Sequence, residues 1–87
     1  MKTVYKYPLL DKTDIRSASI PRNAKVVHAG MQGDDLCIWA EIDTDEKILH
    51  KRYFSVFGTG MEVRGHHVTT FMMGPYVWHL YELLELT

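Results

Sequence analysis

Five histidines (His28, His50, His66, His67 and His79), the single cysteine Cys37 and the tripeptide Gly58-Thr59-Gly60 are the parts of this chain that invite chemistry. A structural metal needs several such side chains to converge on one point. His66 and His67 are adjacent, and neighbours on a strand face opposite ways, so they close on one ion only across a bulge. The other three histidines lie at no ligand-like spacing. Cys37 sits inside the apolar run from Leu36 to Ile42 rather than at a helix N-terminus or strained turn, and reads as a buried small hydrophobe. No serine has the flanking glycines of a nucleophile elbow. The acids Asp34-Asp35 and Asp43, Asp45 and Glu46 fall in turn-forming segments, where solvated carboxylates are ordinary. These residues predict no metal, no cofactor and no enzyme, and direct attention to binding.

Phe57-Gly58-Thr59-Gly60 is a fragment of a phosphate-cradling loop without the Gly-x-x-x-x-Gly-Lys-[Ser/Thr] pattern, and its simplest reading is a tight inter-strand turn. Its backbone N–H groups and the Thr59 hydroxyl would also suit an anion, provided that arginine supplied the charge. Arg22, Arg52 and Arg64 are the candidate arginines, and arginine bonds phosphate through both prongs of its fork. The predicted ligand set is Arg52, Thr59, Gly60, Arg64 and His66. Trp39, Tyr53, Phe57, Tyr76, Trp78 and Tyr81 read first as core or subunit-interface residues, and second as a stacking platform for a ring.

The elements that position these groups read as strands. Leu36, Ile38, Ala40 and Ile42 alternate with Cys37, Trp39, Glu41 and Asp43, which requires one buried face and leaves Trp39 on a half-covered one. Ile48 to Phe57 alternates again. Thr3–Tyr7 ends at Pro8 and reads as an edge strand. Ala24–Met31 pairs with the Leu36 strand around Gly33-Asp34-Asp35, and His67–Met73 and Tyr76–Tyr81 flank Gly74-Pro75. Leu10–Ser19 shows little periodicity and reads as a loop leading to a turn at Ile20-Pro21-Arg22-Asn23. The tail from Tyr81 to Leu86 extends the last strand or starts a helix. The expected fold is therefore all-β, a small antiparallel sandwich or barrel of about six strands over residues 1–87, with an α+β arrangement carrying one short helix as the alternative.

Composition bounds the rest. Eighty-seven residues, 46% hydrophobic and 24% charged, make one ordinary globular domain. The net charge of −1 and the absence of a Lys/Arg run argue against a nucleic-acid backbone binder. One cysteine allows no intrachain disulfide, which fits a reducing compartment, and no apolar segment approaches the roughly eighteen residues of a membrane span. The opening residues Met1–Leu10 have no continuous apolar core and do not read as a signal peptide. A compact monomer of 10.1 kDa exposes roughly 5,300 Å² of an unfolded 14,600 Å², a modest burial that a homo-oligomer would improve.

The ordered set Lys6-Tyr7-Pro8-Leu9, Ile20-Pro21 with Ala24, Trp39-Ala40 with Asp43, Phe57-Gly58-Thr59-Gly60 and Val77-Trp78-His79-Leu80-Tyr81-Glu82 resembles a family of small tailed-phage proteins, known mainly as a domain of unknown function. The likeness spans nearly the whole chain. Where that family usually has glycine before the alanine of the early turn, this chain has Asn23, which also tolerates positive φ; Thr69-Thr70-Phe71 lacks the Gly-Thr common near the fifth strand. The resemblance carries no catalytic residues. It implies a phage setting in the host cytoplasm and action against host defence, by sequestering a nucleotide-type signalling molecule or by inhibiting a defence enzyme through protein contacts. A structural, virion-associated role is the third expectation.

Overall fold

The computed structural model describes residues 1–11 and 13–84. Seven strands form: β1 (Lys2–Pro8), β2 (Arg16–Pro21), β3 (Lys25–Gln32), β4 (Asp35–Asp43), β5 (Leu49–Gly58), β6 (His66–Met73) and β7 (Tyr76–Leu83). Every pairing is antiparallel, in a three-stranded sheet β1-β4-β3 and a four-stranded sheet β2-β5-β7-β6. The described residues contain no helix, and therefore none long and apolar enough to cross a membrane. This is the all-β antiparallel sandwich expected from the sequence, with one strand beyond the expected six.

The extra strand is β2, within a stretch read as loop and turn. Its small side chains, Ser17, Ala18 and Ser19, carry little intrinsic strand signal, and pairing with Arg52 and its neighbours on β5 makes it a strand. Ile20 then enters the core completely buried. The turn follows one residue later than expected, at Arg22-Asn23, where Asn23 adopts φ 68°. The last strand runs to Leu83, so the tail extends β7 that far; Glu85 and Leu86 lie outside the described residues.

The alternation that marks β4 buries Leu36, Ile38, Ala40 and Ile42 against the facing sheet. Opposite them, Phe54 of β5, Phe71 of β6 and Leu80 of β7 close the main core with Leu9 and Ala29, while Ile20 and Ala24 join Ala40 and Ile42 in a second cluster. Tyr7, Ala18 and Val26 touch both clusters. Each large apolar side chain removed from water contributes about 1.5–3 kcal/mol toward holding the sheets together. Cys37 is also buried, although it shares the outer face of β4 with Trp39. Its register partners are Gly30 and Pro8, and His28 lies over Gly30 with its ring 5.4 Å from that of Trp39.

β3 packs on β6, closing one side of the sandwich. On the other side a slot of about 320 Å³ lies between the sheets, with Tyr5 and Tyr7 of β1 and Pro21 and Leu49 of the facing sheet on its walls.

Candidate functional site

β5 and β6 run in the same direction on either side of β7, so residues 59–65 must pass across β7 to connect them. The connection begins as a turn in which the Met61 N–H donates to the Gly58 carbonyl at 3.1 Å, with Gly60 at φ 92° in its third position. That conformation belongs to glycine. It ends at Gly65, φ 91°, whose Cα lies so close to the backbone of β7 that a Cβ would collide with the Glu82 carbonyl oxygen. Gly60 and Gly65 thus set the two ends of the crossing.

Beside the first end lies an open, mostly apolar concavity of about 460 Å³, walled by Gly58, Thr59, Met61, Tyr76, Val77 and Trp78. Trp78 is its inner wall, half-buried and packed against the main core, while Tyr76 stands 67% exposed at the rim. The Thr59 hydroxyl links this concavity to a polar chain on the outer face of the sheet. It lies 3.0 Å from His79 Nε2; His79 Nδ1 is 2.9 Å from the Thr70 hydroxyl, which is 2.8 Å from His67 Nε2. Aromatic edges support the chain, with His67 against Tyr81 at 5.4 Å and Tyr81 against Phe57 at 5.5 Å. A neutral imidazole offers one donor and one acceptor, and a hydroxyl offers one donor and two acceptor positions, so the row can reverse its direction of donation to suit a ligand group.

The five residues of the predicted ligand set do not form one cluster. Thr59 borders the concavity, and Gly60 follows it in the turn without lining the recess. Arg64 and His66 are exposed at the far end of the crossing, where His66 pairs with Glu82. Gly58 pairs with Trp78, so the two groups are separated by four residues of β7, about 13 Å. Arg52 points between the sheets: Nε and Nη2 donate to the two Glu82 carboxylate oxygens at 2.7 and 2.6 Å, and Nη1 donates to the Ala24 carbonyl at 2.6 Å. Its guanidinium is thus a brace joining β5, β7 and the start of β3. Arg22 bonds Glu46 at 3.3 Å near the start of β5, the end away from Gly58.

The polar chain was not legible in the sequence. Counting by twos puts His67 and Thr70 on opposite faces, but a bulge between His67 and Thr69 shifts the register and brings them together. Among the described residues, no group of three or more His, Cys, Asp or Glu could hold a metal ion. The displaced carboxylates serve turns: the Ser17 backbone N–H holds Asp11 below its ordinary pKa, the Asp45 N–H does so for Asp43, and the Ile48 N–H, aided by Arg22, for Glu46.

No curated protein and no solved structure matches this chain. A family model described as a domain of unknown function, DUF7352, matches residues 1–86, and with nearly its full length covered the chain belongs to the DUF7352 family.

Proposed function

We propose that the domain is a non-enzymatic binding protein that sequesters a small, ring-bearing anionic ligand of the nucleotide type, with the ring in the Trp78–Tyr76 concavity. The single observation that carries this reading is a recess of about 460 Å³, within the usual range for small-molecule sites, that shares Thr59 with a row of hydroxyl and imidazole groups. An aromatic wall accepts any base face, and the hydroxyl at its edge gives direction. The phosphate end lies along His79, Thr70 and His67 toward Arg64 and His66. Arg52 has a structural part and is no ligand contact: its bond to Glu82 steadies the backbone against which Gly65 packs. The chain's likeness to small tailed-phage proteins supports placing this activity in an infected host's cytoplasm, as a counter-defence.

Native mass spectrometry of the protein from its producing cells, before and after denaturation and organic extraction, tests the reading. A released nucleotide-like molecule is the expected result, with Tyr76→Ala and Arg64→Ala each weakening its rebinding several-fold in calorimetry. A ligand-free protein that binds neither cyclic nucleotides nor ADP-ribose derivatives refutes it.

A second reading, inhibition of a host protein, draws on Met61, Tyr76 and Val77 of the same recess and on exposed apolar side chains outside it. Met61, Val63, Met72, Tyr76 and Val77 are 41–67% exposed around the crossing and the β6–β7 hairpin, an apolar cluster of the kind that docks a partner. Capture of a defence enzyme by the wild-type protein but not by Met72→Lys would favour it.

A further inference from the structure

An antiparallel sandwich leaves four strand edges, and three of these are blunted. On β2 the Arg22 N–H donates to Ile48, so even-numbered residues face β5 and odd-numbered ones face outward. Of the outward groups, the Ser17 N–H is taken by the Asp11 carboxylate at 3.2 Å and Pro21 has none, which leaves Ser19. β3 and β6 each carry a bulge and pack on one another. β1 has no bulge and pairs with β4 through all seven of its residues.

The same parity argument orients β1. Leu9 N–H donates to Leu36 at 2.8 Å and Thr44 N–H donates to Met1 at 2.9 Å, so in this register odd-numbered residues bond β4. The N–H groups of Lys2, Val4 and Lys6 therefore point away from the sheet. Lysines usually guard such an edge, but here Lys6 Nζ turns back over its own sheet to Gln32 at 3.1 Å and Lys2 Nζ lies 3.8 Å from Glu41. Tyr5, 51% exposed, stands at the inter-sheet slot, and Val4, 49% exposed, lies on the other face of the strand.

We propose that β1 is the interface of a two-fold dimer, pairing antiparallel with β1 of a second copy about an axis at Tyr5. A strand with alternate outward donors is self-complementary under a two-fold, and two registers are in reach. Centring on Val4 sets Lys2 opposite the partner's Lys6, a like-charge pair that opposes association. Centring on Tyr5 sets Val4 opposite the partner's Lys6, Lys2 opposite the partner's Pro8, and the two Tyr5 rings across the axis at the mouths of the slots. Reciprocal bonds in both Val4–Lys6 pairs and single bonds in both Lys2–Pro8 pairs make about six, joining two three-stranded sheets into one. The monomer's 5753 Å² of surface, against roughly 5,300 Å² for a compact chain of its mass, is consistent with a face made to be covered.

The test is mass in solution by light scattering on the full chain, with cross-linking to read the register. The expected result is twice the 10.1 kDa chain mass for the wild type and a monomer for Val4→Pro. Val4→Pro removes an outward donor and no bond to β4, so circular dichroism and the unfolding midpoint report that the fold persists. Should that variant fail to fold, Tyr5→Lys places two ammonium groups at the axis and is expected to halve the mass. Tyr5→Cys is expected to form an intersubunit disulfide on oxidation, because directly opposed non-hydrogen-bonded positions lie within bridging distance, and buried Cys37 does not compete. A monomeric wild type, or a dimer untouched by both Val4→Pro and Tyr5→Lys, overturns the proposal. Cross-linking through Val4→Cys in place of Tyr5→Cys overturns the register.

Discussion

Replacing Arg52 by alanine removes three donors at once: two to Glu82 and one to the Ala24 carbonyl. A hydrogen bond to a charged group contributes about 1.5–3 kcal/mol, and stranding one member of a fully buried ion pair costs about 3–5 kcal/mol. Both side chains here retain about a fifth of their exposure, 22% and 21%, so water rehydrates the Glu82 carboxylate in part and lowers the cost. The expected loss is about 2–3 kcal/mol. A domain of this length has about 4–13 kcal/mol in total, so the change is a large fraction of stability and corresponds to a fall in midpoint of roughly 8–20 °C. Urea unfolding followed by tryptophan fluorescence measures it, since Trp39 and Trp78 stand on opposite sheets. The double variant Arg52→Met with Glu82→Leu removes both charges together and is expected to recover most of the loss, because no unpaired carboxylate remains. Well below the midpoint, ligand affinity in Arg52→Ala is expected to be unchanged. A stability loss under about 0.5 kcal/mol would refute the brace, and a loss of affinity at unchanged stability would return Arg52 to the ligand contacts.

Gly65→Ala is expected to destabilise by more than about 2 kcal/mol, because it adds a Cβ against the Glu82 carbonyl at a positive φ; the unfolding midpoint reads it. The Asp11 carboxylate is held below its ordinary pKa by the Ser17 N–H, so its contribution is present above the unfolded-state value and is lost as pH falls through the lower folded-state value. Asp11→Asn is therefore expected to flatten the acid limb of the stability profile in chemical unfolding across pH 2 to 6. Cys37, 1% exposed, is expected to react with an aromatic disulfide reagent only as fast as the protein opens, and at once in strong denaturant.

Strands whose signal is local were legible in the sequence. β4 and β5 announced themselves by alternation, and Asn23 by its tolerance of positive φ. β2 was hidden because Ser17, Ala18 and Ser19 become a strand only through β5, some thirty-five residues away. The role of Arg52 was hidden for the same reason, as its partner Glu82 lies on a strand that pairs beside it only in the folded sheet. At the candidate site, the Gly-Thr-Gly turn and the aromatic density of β7 were visible. The Thr59–His79–Thr70–His67 row was not, because a single bulged residue reverses the face on which His67 stands.

The placement of β7 bears on how the molecule is made. The strand that fills the centre of the four-stranded sheet is the last of the seven to leave the ribosome, after both of its neighbours. Until Tyr76–Leu83 emerges from the exit tunnel, β5 and β6 have no partner between them, and Leu80 is missing from the core that Phe54 and Phe71 must share. The four-stranded sheet can therefore be completed only after its last strand has been translated. A nascent chain stalled in the β6–β7 hairpin presents two raw strand flanks to chaperones and proteases.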